Sequence, residues 1–98
     1  IADFTLYQNY PNPFNPVTTV RYTVTAFSET HHDASLRSIE LTISNVLGER
    51  IATLFSGKQS AGMYTVQWNA EGLPSGVYFC RLSTDRGLMA TRKLVLLR

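Results

Sequence analysis

Short runs of alternating apolar and polar residues, broken at intervals of roughly eight to twelve residues by Gly, Pro, Asn or Asp, limit this chain to β-structure. Val20, Tyr22 and Val24 share one face of the run Thr18 to Thr25, and Thr19, Arg21 and Thr23 share the other. Ile39, Leu41 and Ile43 alternate with Glu40, Thr42 and Ser44 in the run Ile39 to Val46. Successive side chains of a strand point to opposite sides, so each run puts one apolar face toward a core. The best helical stretch, Leu47 to Leu54, is interrupted by Gly48 and carries Ile51 and Thr53, which favour extended chain.

The remaining runs follow the same logic. Phe4 to Tyr7 is a short first strand. Arg50 to Phe55 returns after the turn signal Leu47-Gly48-Glu49 as the second arm of a hairpin, and Ser56 to Gly62 is a polar connection. Met63 to Asn69 turns Tyr64, Val66 and Trp68 to one face, and Val77 to Ser83 does the same with Tyr78, Cys80 and Leu82. A turn cluster, Glu71 to Gly76, separates them, and Asp85-Arg86-Gly87 leads into Leu88 to Leu97. About seven strands at this spacing predict an all-β fold, an antiparallel β-sandwich.

Two segments stand apart. Tyr10 to Pro16 holds Pro11, Pro13 and Pro16. Proline has no backbone donor and a fixed φ, so this stretch belongs along a sheet edge, anchored by Tyr10 and Phe14. The run Lys93-Leu94-Val95-Leu96-Leu97-Arg98 sets four apolar residues between two cations where small domains usually fray into polar residues. Its buried face is ambiguous from pattern alone. A strand apolar on both sides is either doubly covered or awaits a partner. Lys93 and Arg98 would discourage edge-to-edge aggregation, and the strand could be read by pairing if its edge is open.

Composition narrows the function classes. Ninety-eight residues, 44% of them hydrophobic, suit one domain, residues 1–98, with a modest core. The chain begins at Ile1 without a signal pattern, as a fragment of a longer protein would. Nine Lys/Arg and seven Asp/Glu are scattered without a basic stripe, which argues against nucleic acid as a partner. Cys80 is the single cysteine, so no internal disulfide forms.

No catalytic constellation emerges. Cys80 has inward parity, where a thiol acts as a small hydrophobe. Leu73-Pro74-Ser75-Gly76 reads as a turn rather than a nucleophile elbow. His31-His32-Asp33 is the one ligand-like cluster. Adjacent histidines on extended chain point apart, and a solvated loop over Ala26 to Ser38 explains them better than a metal. Phe14, Tyr64, Trp68, Tyr78 and Phe79 could form a sugar platform, but Tyr64, Trp68 and Tyr78 have core parity, which leaves Phe79 as the partly exposed one. No cofactor and no small-molecule substrate are expected.

Several pieces in this order resemble the type A C-terminal sorting domain carried by cargo of the type IX secretion system. Tyr10-Pro11-Asn12-Pro13-Phe14-Asn15-Pro16 with Thr18 to Tyr22 resembles its opening, and Asn45 to Ile51 its central strand-turn-strand around Gly48. Gly62-Met63-Tyr64 with Trp68 is similar to its glycine-x-tyrosine strand, Gly72 to Phe79, with Gly76 and Tyr78, to the next, and Lys93 to Arg98 to its closing tail. The likeness runs from about Leu6 to Arg98. The loop Ala26 to Ser38 is longer than usual for the family, and Cys80 stands where a larger residue is commoner. Flagellar hook-capping domains share parts of the pattern.

The resemblance implies an immunoglobulin-like or fibronectin III-like sandwich that catalyses nothing itself. It implies a sorting signal that directs an upstream cargo domain across the outer membrane to the cell surface or medium, read at Lys93, Leu94, Val95, Leu96, Leu97 and Arg98. It also implies as partners the secretion machinery and a sortase-like cysteine protease. The other reading is an accessory module, carbohydrate-binding or a spacer, of a secreted hydrolase. We expect Gly62 and Gly76 to serve a backbone conformation or a close approach, and Tyr64 and Tyr78 to flank Trp68 in the core.

Overall fold

The structure is a computed structural model that describes residues 4–25, 36–85, 87 and 89–98. Seven strands follow one another: β1 (Phe4–Leu6), β2 (Val17–Val24), β3 (Arg37–Ser44), β4 (Arg50–Gln59), β5 (Gly62–Asn69), β6 (Gly76–Thr84) and β7 (Met89–Leu96). They form a three-stranded sheet in the order β1-β2-β5 and a four-stranded sheet in the order β4-β3-β6-β7. Every strand pair is antiparallel, and the two sheets face each other as a sandwich. The His31-His32-Asp33 cluster lies outside the described residues.

The alternation places the core. Val20, Tyr22 and Val24 of β2, Ile39, Leu41 and Ile43 of β3, Trp68 of β5, and Tyr78, Cys80 and Leu82 of β6 are all buried together. Burying apolar surface at about 25 cal/mol per Å² is the main force that binds two sheets that share no backbone ladder. Thr42 of β3 is also buried, against its parity. It lies in the middle of the sheet, paired with Thr53 on one side and Arg81 on the other.

Two boundaries differ from expectation. β3 begins at Arg37, inside the segment read as loop, and β4 continues to Gln59 through residues read as a polar connection. Ser56, Gly57, Lys58 and Gln59 pair with Glu40, Ile39, Ser38 and Arg37. A strand at a sheet edge needs only one apolar face, so its polar half carries no strand signal in the sequence. The β3–β4 ladder also shifts register between Leu41 and Thr42, which makes Leu54 an extra residue opposite β3. That bulge reverses the parity of β4, and both Leu54 and Phe55 pack against the core.

Candidate recognition site at one end of the sandwich

The closing strand resolves its own ambiguity through its neighbour. Leu94 and Leu96 pair with Tyr78 and Gly76 of β6, and both are fully buried. Lys93 and Arg98 are exposed, Val95 is half-buried, and Leu97 keeps 55% of its surface. The six tail residues therefore split. Leu94 and Leu96 belong to the core, while Lys93, Leu97 and Arg98 face outward.

The proline segment lies along the outer edge of β7. The Phe14 amide donates to the Val95 carbonyl at 2.9 Å, and the Leu97 amide donates to the Phe14 carbonyl at 3.0 Å. This is a parallel bridge one residue long, Phe14 with Leu96. The Val95 amide donates to Asn12 Oδ1 at 2.9 Å, and Gln8 Nε2 donates to the Lys93 carbonyl at 2.7 Å. Arg92 Nε reaches the Leu6 carbonyl at 2.8 Å, closing the seam between β1 and β7. The outer edge of the tail is thus occupied by this chain's own residues, contrary to the open edge that pairing with a reader requires.

Buried polar groups hold the segment in shape. Asn9 Nδ2 donates to Thr18 Oγ1 at 2.9 Å and to the Pro11 carbonyl at 3.0 Å, and Thr18 Oγ1 donates to the same carbonyl at 2.9 Å. Asn9 and Thr18 are buried, so leaving them unpaired would cost about 1–3 kcal/mol each. Pro11, Asn12 and Pro13 are exposed above this network. Phe14 is only 2% exposed, and its ring lies 5.7 Å from Trp68, which in turn meets Tyr78 edge-on at 5.8 Å.

Trp68 is therefore flanked by Tyr78 and Phe14. Tyr64 stacks on Tyr22 instead, with ring centroids 5.4 Å apart, near the other end of the sandwich. The two glycine-tyrosine strands look alike in sequence but begin at opposite ends: Gly62 pairs with Val24, whereas Gly76 pairs with Leu96. Gly62 and Gly76 have φ of +154° and +151°, which L side chains rarely adopt. A Cβ at Gly76 would meet nothing within 4 Å, and one at Gly62 would touch Tyr64 only at ordinary contact distance. Backbone conformation, not close approach, accounts for both residues.

Two loops complete this end. Tyr78 Oη donates to the Pro74 carbonyl at 2.7 Å. Arg98 ties the tail to the same loop, its Nη1 donating to the Leu73 carbonyl at 2.6 Å and its amide to Ser75 Oγ at 3.0 Å. Gly48 sits in the exposed β3–β4 turn, where Asn45 Oδ1 accepts the amides of Leu47 and Glu49. Between this turn and the Leu73–Ser75 loop runs an open groove of about 290 Å³, lined by Val46, Ile51, Leu73, Pro74 and Val77.

Sequence patterns thus located Phe14, Gly76, Tyr78 and the tail, and the fold brings these together. They missed Gln8, Asn9 and Thr18, polar residues whose role depends on what buries them. The buried Cys80 thiol is pushed up to about 12 by burial, which keeps it neutral and unreactive at ordinary pH. Phe14, Trp68 and Tyr78 are buried and offer no stacking face to a sugar, while Phe79 is half-buried as its parity predicts.

The profile of the secretion system C-terminal sorting domain matches residues 8–97. The chain belongs to this family, the sorting domains of the type IX system. A search of curated proteins finds no match. Among solved structures, the sorting domain is similar to the solution structure of the sensor domain of the anti-sigma factor RsgI4 from Pseudobacteroides cellulosolvens. The TM-score is 0.72 at 10% identity, covering 99% of this chain and 76% of that one. A shorter form of the same sensor domain gives a TM-score of 0.63 at 13% identity, covering 99% of both chains. At such identities the likeness speaks for the sandwich alone. A sorting domain is a signal for export to the cell surface or medium, forms part of a cargo protein and meets secretion machinery; its family is not a catalytic one.

Proposed function

We propose that this domain directs an upstream cargo across the outer membrane, and that its outward tail residues Lys93, Leu97 and Arg98 are what the machinery reads. The observation that carries this is the family match over residues 8–97, whose opening and closing motifs fold into one surface at one end of the sandwich. Leu94 and Leu96 act indirectly, by keeping the tail in the sheet. Removal of the domain by a sortase-like cysteine protease follows export in this reading, and the sandwich itself catalyses nothing.

A periplasm-directed reporter carrying this chain at its carboxyl end tests the proposal in a bacterium with a type IX system. The reporter should reach the surface or medium, and its mass should show loss of the domain. The reporter alone should stay in the periplasm. Retention of both proteins in the periplasm would overturn the sorting role, and export with the domain attached would remove the protease from the account.

A further inference from the structure

We propose that the Gln8–Phe14 segment is a strap anchored to β2 at Tyr10 whose Asn12–Phe14 end releases from the outer edge of β7, and that the edge beneath that end is the docking surface for an extended strand of the secretion machinery. This rests on the sorting role proposed above.

Odd-numbered residues of the tail turn their backbone groups away from β6, and the strap satisfies them piecemeal. Two of its four bonds, from Gln8 and to Asn12, use side chains in place of a ladder. Its pairing with β7 is a single bridge at Phe14 that cannot lengthen backward, because Pro11 and Pro13 have no amide to give; its near end is held separately, by the Tyr10–Thr19 bridge to β2 and by buried Asn9. A partner strand could replace these with a continuous ladder, the usual source of affinity when a strand joins a sheet edge.

The surroundings say what that strand must carry. Lys93 shares the outward face of the tail with Val95 and Leu97, so the complement is an extended segment that sets a carboxylate against Lys93 and apolar side chains against Val95 and Leu97, while Arg98 is held beyond the strand by the Leu73 carbonyl. Displacing Phe14 empties a buried site against Trp68, and the incoming strand must refill it with an apolar side chain. The rest of the releasable end, Asn12 and Pro13, is exposed, so it can lift off β7 while Asn9, Tyr10 and Pro11 stay held on β2, and without disturbing the β6–β7 ladder.

Amide exchange in the whole chain tests the release. The Leu97 amide, held by the strap, should exchange at least tenfold faster than the Leu94 and Leu96 amides, held by β6. Asn12→Ala, which leaves the Leu97 acceptor in place, should speed Leu97 further and leave Leu94 and Leu96 unchanged. One common rate for all three amides in both proteins would overturn the strap.

A disulfide lock tests the docking, with Asn12→Cys and Val95→Cys in place of the strap bond between those two residues, neither of which is among the residues proposed to be read. The buried Cys80 stays out of the exchange. The reporter should be retained when the pair is oxidised and exported once it is reduced. Equal export of oxidised and reduced forms would overturn docking while leaving sorting intact. Failure of the unmodified reporter to be exported would strike the sorting role instead, and the exchange rates would still decide the strap.

Discussion

The two outer edges of the four-stranded sheet are protected by different means. β7 is covered by residues 8–14 of the same chain, through discrete hydrogen bonds and one buried ring. β4 has no backbone partner beyond β3 among the described residues, but its ladder is broken by two register shifts, and Arg50 and Lys58 stand along it. Bulges and charges make an edge a poor template for another strand at all times. A covering segment makes it a poor template only while the segment stays. The contrast points to β7, not β4, as the edge built to be used.

The largest test of this asymmetry lies in the core beneath each edge. Trp68→Ala removes the contact shared by Phe14 and Tyr78 and should cost roughly 3–5 kcal/mol in denaturant unfolding. Leu54→Ala, under the β4 edge and only half-buried, should cost about half that or less. Equal losses would mean that the two sides are held alike.

Alkaline titration gives the next largest effect. Cys80 lies on β6 between Ile43 and Arg92, so it reports on the whole sheet rather than on either edge. Burial raises its folded pKa from 9.0 to about 12, so its contribution is complete below pH 9 and lost as pH rises toward 12. The slope should approach about 1.4 kcal/mol per pH unit. Tyr22, whose pKa burial also raises, adds a loss of the same sign above pH 10. Cys80→Ala should flatten the first part of the curve. At neutral pH a thiol reagent should label Cys80 only through global opening, and labelling as fast as the Leu97 amide exchanges would mean that the strap and the sheet open together.

The smallest effects compare the edges directly. Asn12→Ala breaks one strap bond and should cost about 1 kcal/mol. Glu40→Gln weakens the exposed 3.7 Å pair with Arg50 across the β3–β4 ladder and should cost well under about 1 kcal/mol. A larger loss at Glu40 than at Asn12, measured by thermal unfolding, would reverse the ranking of the two edges.

Much of this arrangement was legible because β2, β3, β5 and β6 each present one apolar face, and period-two alternation reports that directly. The second half of β4 was hidden because Ser56 to Gln59 face solvent and need no hydrophobic pattern to pair. The tail could not be oriented because four consecutive apolar residues have no period, and only the pairing of Leu94 with Tyr78 decides the face. Tyr64 was placed beside Trp68 because two similar glycine-tyrosine motifs suggest one location, while strand direction puts them at opposite ends. The strap itself was half visible. Prolines excluded the segment from mid-ladder, but nothing local says which edge it covers, since its partners lie about eighty residues away.

The proposed division of labour within the tail is central to the proposed sorting role, and one variant tests it most directly. Lys93→Ala, Leu97→Ser and Arg98→Ala together change exposed side chains, give up one exposed hydrogen bond from Arg98 to the Leu73 carbonyl, and leave Leu94 and Leu96 in the core. The expected outcome is a melting temperature within a few degrees of the unmodified domain and a reporter trapped in the periplasm. Normal export of a reporter bearing all three substitutions would contradict that division.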